Sequence, residues 1–157
     1  MRITLLVVGK TDTDYLVKGV SIYEKRIKNY LNFEVKVIPD IKNTRNLTTQ
    51  QQSVLEGEQI LSKISKPADT ILLDEKGNQP TSKEFAELIE KKMISGIKEL
   101  TFVVGGPYGF SPDVRSKISR SISLSRLTFS HQMVRLVFTE QLYRAMTIIR
   151  GEPYHHE

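Results

Sequence analysis

All three histidines of the chain, His131, His155 and His156, fall in its closing segment, LTFSHQMVRLVFTEQLYRAMTIIRGEPYHHE. Histidine is the side chain whose unperturbed pKa lies nearest working pH, so this segment is where a general base is to be sought. His155 is the first candidate, and Tyr154 beside it offers an aromatic face that stacks on or orients a flat ligand. Chain ends usually fray, and from the residues alone a frayed tail is the default reading for both. Upstream, Glu140 and Arg144 stand at i and i+4, the spacing of an ion pair on a helix surface. The planar fork of Arg144 also suits a phosphate or a base edge, so Glu140 and Arg144 join Tyr154 and His155 as the candidate catalytic set. His131 follows Ser130 at the start of a helical run and reads as a capping or packing residue. The absence of cysteine removes disulfides, thiolate nucleophiles and the commonest structural zinc sites, and two adjacent histidines do not make a convergent metal set.

A second group of residues has the character of ligand loops: LDEKG, GGPYGF and LSRLTFSH. Gly105, Gly106 and Gly109 permit close backbone approach, which a loop needs if its amides and carbonyls are to hold a ligand. The spacing matches neither G-x-G-x-x-G nor a P-loop, which disfavours a dinucleotide or a triphosphate and leaves a smaller adenosine-type ligand. Leu73, Leu124, Leu127 and Phe129 supply apolar walls for it, with the Ser125 and Thr128 hydroxyls for a polar tail. Plain turn glycines and core leucines are the competing readings.

The elements that position these loops follow from hydrophobic periodicity. ITLLVV, FEVKVIP, DTILLD, LTFVVGG and SISLS read as strands. Helices are expected from Asp14 to Leu31, from Thr48 through Val54, Leu55, Ile60, Leu61 and Ile64, over TSKEFAELIEKKMIS, over SPDVRSKIS, and from His131 to Ile149. Thr81 and Glu84 have capping-box spacing, Ser111 caps a helix with Pro112 in its first turn, EKGNQP reads as a turn and IKNTRN as a loop. Strands separated by helices predict an α/β fold, a parallel sheet with helices on both faces, in one domain spanning 1–157. In such sheets ligands bind beyond the carboxyl ends of the strands, where the three loops should meet. Met133, Val134, Leu136, Val137, Leu142, Met146 and Ile149 make the last helix apolar over an arc too broad for one contact, which predicts burial against the sheet and a partner subunit. A formal charge of +5 favours an anionic partner, although the lysines mixed among glutamates read as solvated helix faces, and Arg126 and Arg150 are phosphate contacts or, equally, solvated surface charges. The first apolar run is too short to span a bilayer, so no membrane association is expected, and a reducing cytoplasm fits the lack of cysteine.

LDEKG, FVVGGPYGF, SLSRLTFSHQMVRL and TEQLYRAMTIIRGEPYHHE, in that order and at these separations, resemble the ribosomal RNA large subunit methyltransferase H family of the SPOUT superfamily. The resemblance extends over essentially the whole chain, MRITLLVVGK included. It implies a SPOUT-type fold with a C-terminal trefoil knot, a homodimer, and S-adenosylmethionine as the donor of a methyl group to N3 of a pseudouridine in a hairpin of large-subunit ribosomal RNA. It places the donor against Leu73, Gly105, Leu124, Ser125, Arg126, Leu127, Thr128 and Phe129, and implies no metal. Pro107 and Tyr108 stand at positions that vary in the family, and His156 stands where some members carry arginine or lysine. Two alternatives are another SPOUT activity, such as transfer RNA ribose methylation, and a non-catalytic dimer that binds S-adenosylmethionine or the ribosome.

Overall fold

The computed structural model describes residues 1–156. Five strands, β1 (Arg2–Val8), β2 (Asn32–Ile38), β3 (Thr70–Asn78), β4 (Glu99–Val104) and β5 (Ser121–Ile122), form one sheet in the order β2-β1-β4-β3-β5. Every pairing is parallel. Helices α1 (Asp14–Ile27), α2 (Thr49–Lys63), α3 (Ser82–Ile94), α4 (Pro112–Lys117) and α5 (Met133–Arg150) complete the chain.

The alternation of side chains along a strand builds two cores from one sheet. Ile3, Leu5 and Val7 of β1 point to the face covered by α1, α3 and α5, where Phe85, Phe102 and Phe138 cluster, Phe102 and Phe138 with ring centres 4.8 Å apart. Leu6 and Val8 point the other way, to Ile60 of α2 and Val114 of α4. Helices on both faces are what the unbroken apolar strands required, and the two caps expected from spacing act as such. The Thr81 hydroxyl accepts from the Glu84 amide at 3.2 Å, and the Ser111 hydroxyl accepts from the Val114 amide at 3.4 Å. Thr48 closes a full capping box with Gln51 at the head of α2.

Four expectations are corrected. Helix α1 ends at Ile27 rather than Leu31, because Lys28–Leu31 turn back in short-range bonds to Glu24, Arg26 and Ile27. IKNTRN is not a featureless loop: it contains a 3-10 turn, Thr44–Asn46, entered through Asn43 in the left-handed region. EKGNQP is not a simple turn, since β3 runs on to Asn78 with an irregularity between Leu73 and Asn78 and rejoins β5 at Ile122. The Asp74 carboxylate accepts from the Lys76 amide at 3.1 Å and shapes that bulge. Gly77 admits it, because a Cβ there would lie 2.7 Å from the backbone of Ser121 and Ile122. In α2 the buried stripe is Ser53, Glu56, Gly57 and Ile60, while Val54 and Leu55 are exposed. Among the described residues no helix is long and apolar enough to cross a membrane.

Candidate active site

A cavity of about 610 Å³ opens at the carboxyl ends of β3, β4 and β5. Each strand end contributes: Leu73 from β3, Gly105 after β4, and Leu124, Ser125, Leu127, Thr128 and Phe129 after β5. The size suits a nucleoside-sized ligand. Leu73 is buried, whereas Leu127 is 77% exposed, an apolar side chain with water on it at the rim. Arg126, between Ser125 and Leu127, is exposed and does not face the cavity.

The loops are held by their own polar groups. The Ser123 hydroxyl donates to the Ser125 carbonyl at 2.7 Å, and the Ser125 hydroxyl accepts from the Leu127 amide at 2.9 Å, so 123–127 is a self-bonded turn. The Thr128 hydroxyl donates to Glu75 at 3.2 Å and ties that turn to the bulge of β3. Asp74, buried at the cavity wall, is paired with Arg115 of α4. In GGPYGF, Gly106 and Gly109 form an isolated bridge with the Gly109 amide 3.1 Å from the Gly106 carbonyl, and Gly109 takes φ +74, a conformation that favours glycine. That bridge carries Pro107 and Tyr108 at its tip, where both line the cavity rim and Tyr108 is half exposed.

His131 lines the same cavity. The capping at this helix start belongs to Ser130, whose hydroxyl accepts from the Met133 amide at 3.0 Å. The His131 carbonyl accepts from Arg135 Nε at 2.9 Å. Arg135 is 1% exposed; its other nitrogens donate to the carbonyls of Val8 at 2.6 Å and Gly9 at 2.9 Å and to the Thr11 hydroxyl at 3.0 Å. Burial lowers the proton affinity of this guanidinium while Asp40 and Asp12 raise it. Arg135 thereby fastens the first turn of α5, and with it His131 and Val134, to the end of β1.

The four candidate catalytic residues form a second cluster at the far end of α5. Arg144 Nη2 donates to Glu140 Oε1 at 2.5 Å, the predicted i,i+4 pair, and the Tyr154 hydroxyl donates to the same oxygen at 3.2 Å. The Arg144 guanidinium lies 4.9 Å from the centre of the Tyr154 ring, and Tyr143 meets that ring edge-on at 4.7 Å. Burial, reinforced by a hydrogen bond with Tyr23 and by the Glu140 carboxylate, pushes the Tyr154 phenol well above the usual tyrosine range. Arg144 Nη1 is 3.4 Å from His155 Nδ1; arginine has no acceptor, so Nδ1 accepts and the hydrogen of a neutral ring sits on Nε2. The tail is docked: Gly151 in the left-handed region ends α5, the Glu152 amide returns to the Thr147 carbonyl at 2.9 Å, and Tyr30 donates to Glu152 at 2.5 Å. His156 is exposed. From Val134 to Arg144 the helix rises about 15 Å. Within one chain, then, the tail cluster and the cavity are separate.

Among the described residues no three histidines, aspartates or glutamates converge as metal ligands.

Residues 1–155 match the family described as "Predicted SPOUT methyltransferase". The chain belongs to the SPOUT methyltransferase family. Within it the chain is 52% identical over 157 residues to "Ribosomal RNA large subunit methyltransferase H" of Porphyromonas gingivalis, covering 100% of both sequences. Proteins of the same name from Parabacteroides distasonis and Flavobacterium johnsoniae are 54% and 53% identical, again over 100% of each chain. It is therefore a member of the large subunit methyltransferase H branch, as the motifs implied. The fold is shared at 14% identity with a tRNA (m1G37) methyltransferase from Aquifex aeolicus, with a TM-score of 0.57 over 100% of this SPOUT chain and 76% of the other.

Three parts of this architecture were missed in the sequence: the Asp74–Arg115 pair, the Arg135 tie and Glu56 behind the glycine loop. The last two had a signal. Glu56 stands at i+3 from Ser53 and four before Ile60, on the stripe that a helix buries, and Arg135 stands at i−3 from Phe138 on the apolar face of α5. A charged residue on a buried stripe is either paired or functional.

Proposed function

We propose that this protein transfers the methyl group of S-adenosylmethionine to N3 of a pseudouridine in large-subunit ribosomal RNA, acting as a homodimer in the cytoplasm. One observation carries the reading: in a chain of this family, the three loops from β3, β4 and β5 surround a single nucleoside-sized cavity. Leu73, Gly105, Leu124, Leu127 and Phe129 would hold the adenosine part, and Ser125 and Thr128 the polar end. One domain carries both the donor pocket and the tail. The passage from β4 through Phe129 is read as the family's trefoil knot, supported by a strand order in which the chain crosses back past β3 to reach β5.

When bound, the sulfonium supplies an activated methyl group. The target N3 attacks that carbon in line, the N3–CH₃ bond forms as the S–CH₃ bond breaks, and sulfur leaves with the electron pair as a neutral thioether. Holding nucleophile and methyl close and aligned accounts for much of the rate. The N3 proton must also leave, and His155 is the group proposed to take it. Its Nδ1 is engaged by Arg144, so Arg144 must release that nitrogen before it accepts a proton; a phosphate of the RNA is a stronger partner for the guanidinium and would draw it away. Tyr154 stacks on or orients the base, and Glu140 holds Tyr154 in place.

Because the tail and the cavity of one chain lie apart, the proposed active site is composite, with the tail of one subunit reaching the donor pocket of the other. The partly exposed apolar residues Met133, Leu136 and Val137 on α5, with exposed Val17 and Ile22 on α1, support a contact between subunits.

The test is transfer of labelled methyl to ribosomes and isolated subunits lacking the modification, with the labelled nucleotide mapped. Label on N3 of a pseudouridine, with the rate lowered about 10²–10⁴-fold in His155→Ala and donor affinity retained, supports the reading. Wild-type protein that binds donor but transfers nothing to any ribosomal particle would make it a binding protein on a methyltransferase fold. Mixing Leu124→Arg with His155→Ala subunits tests the composite site: heterodimers regain activity if the tail serves the partner's pocket and stay inactive if it does not.

A further inference from the structure

The glycine loop of the cavity rests on a polar stripe of α2. The Ser53 hydroxyl donates to the Gly109 carbonyl at 3.4 Å, and the missing side chain of Gly57 makes room for Ser111, whose hydroxyl would lie 2.4 Å from a Cβ at that position. Between them Glu56, 2% exposed, lies against Gly106: a Cβ built there would be 2.2 Å from Glu56 Oε2. Oε1 accepts from Gln52 Nε2 at 3.0 Å, while Oε2 is buried without a hydrogen-bond partner.

A side chain present only to fill this space would be apolar, as Ile60 is one turn further on. A buried carboxyl with an unsatisfied oxygen is costly, and it sits against the glycine that begins the loop's bridge. Gly106 and Gly109 close the bridge from which Pro107 and Tyr108 project, so the position of Gly106 sets the shape of the cavity's β4 wall. Burial raises the Glu56 proton affinity, against the hydrogen bond from Gln52, which lowers it.

We propose that Glu56 is a positioning residue for the donor site: through its contact with Gly106 it holds the GGPYG loop in the form that binds the donor. This rests on reading the cavity as the S-adenosylmethionine site. The expected results, by calorimetry on the full-length protein, are a donor Kd raised about tenfold in Glu56→Ala and within about twofold of wild type in Glu56→Gln, which keeps the shape without the charge. Gly106→Ala should also weaken binding, because its methyl group meets the carboxyl, and Glu56→Ala/Gly106→Ala should bind more tightly than Gly106→Ala alone. The same four variants are unfolded in urea, where the clash should appear as a non-additive pair. Unchanged affinity in Glu56→Ala, equal losses in the Ala and Gln variants, or strict additivity with Gly106→Ala overturns the proposal. If the wild type binds no S-adenosylmethionine, the donor reading fails, and the urea series alone then upholds or overturns the Glu56–Gly106 contact.

Discussion

Replacing Arg135 by methionine keeps most of the buried stem and deletes the guanidinium. Three backbone carbonyls, those of Val8, Gly9 and His131, and the Thr11 hydroxyl lose a charged donor at 2.6 to 3.0 Å. Hydrogen bonds from charged groups are worth roughly 1.5–3 kcal/mol each, so the four together represent about 6–12 kcal/mol gross. Removing the charge also removes the cost of keeping it out of water, several kcal/mol for one ion, so the net loss should be about 3–5 kcal/mol. At roughly 2–4 °C per kcal/mol for a chain of this size, the melting temperature should fall by about 6–20 °C. Urea unfolding followed by circular dichroism reads this as a lower midpoint at unchanged slope. Arg135→Lys, which presents one point of donation instead of a fork, should fall between methionine and wild type. The tie holds the end of α5 that borders the cavity, so donor affinity should weaken alongside stability. A methionine variant with the wild-type midpoint and wild-type donor affinity would refute the account.

Two other sites give independent predictions. Gly77→Ala places a methyl group 2.7 Å from the backbone of β5, which cannot rotate away as a side chain would, so the variant should lose about 1–3 kcal/mol in urea and bind donor more weakly. The hydrogen bond to Glu152, aided by partial burial, pushes the Tyr30 phenol up to about 12 from an ordinary value of 10. A raised folded-state value means that this tie of the tail is fully present below pH 10 and is lost as the pH climbs through 12. Difference absorbance between wild type and Tyr30→Phe should show a phenol ionising near 12, and Glu152→Gln should return it toward 10; a Tyr30 that still titrates near 12 in Glu152→Gln would remove Glu152 as the cause.

Much of the architecture was legible because it depends on local pattern. Unbroken apolar runs such as ITLLVV announced strands buried on both faces, and the caps at Thr81 and Ser111 operate where their spacing put them. Boundaries were less legible. The extension of β3 through Gly77 depends on β5 lying beside it, and no local feature of EKGNQP distinguishes a bulge from a turn. Helix α2 misled because Val54 and Leu55 look like core, yet the neighbours of that helix are a glycine loop and α4, which left the apolar pair in water and buried Glu56.

The sequence by itself determined the alternation of strands and helices, the three loops that carry ligand chemistry, and the concentration of histidines on either side of the last helix, because each is written in residue type and short-range spacing. Only the tertiary structure decided that the three loops share one cavity, that Arg135 and Glu56 stand behind it, and that Tyr154 and His155 dock on Glu140 and Arg144 at the other end of α5. The physical reason is separation along the chain. Arg135 meets carbonyls more than a hundred positions away, and Glu56 meets a glycine of the loop that follows β4, contacts that exist only once the parallel strands have fixed where every crossover returns.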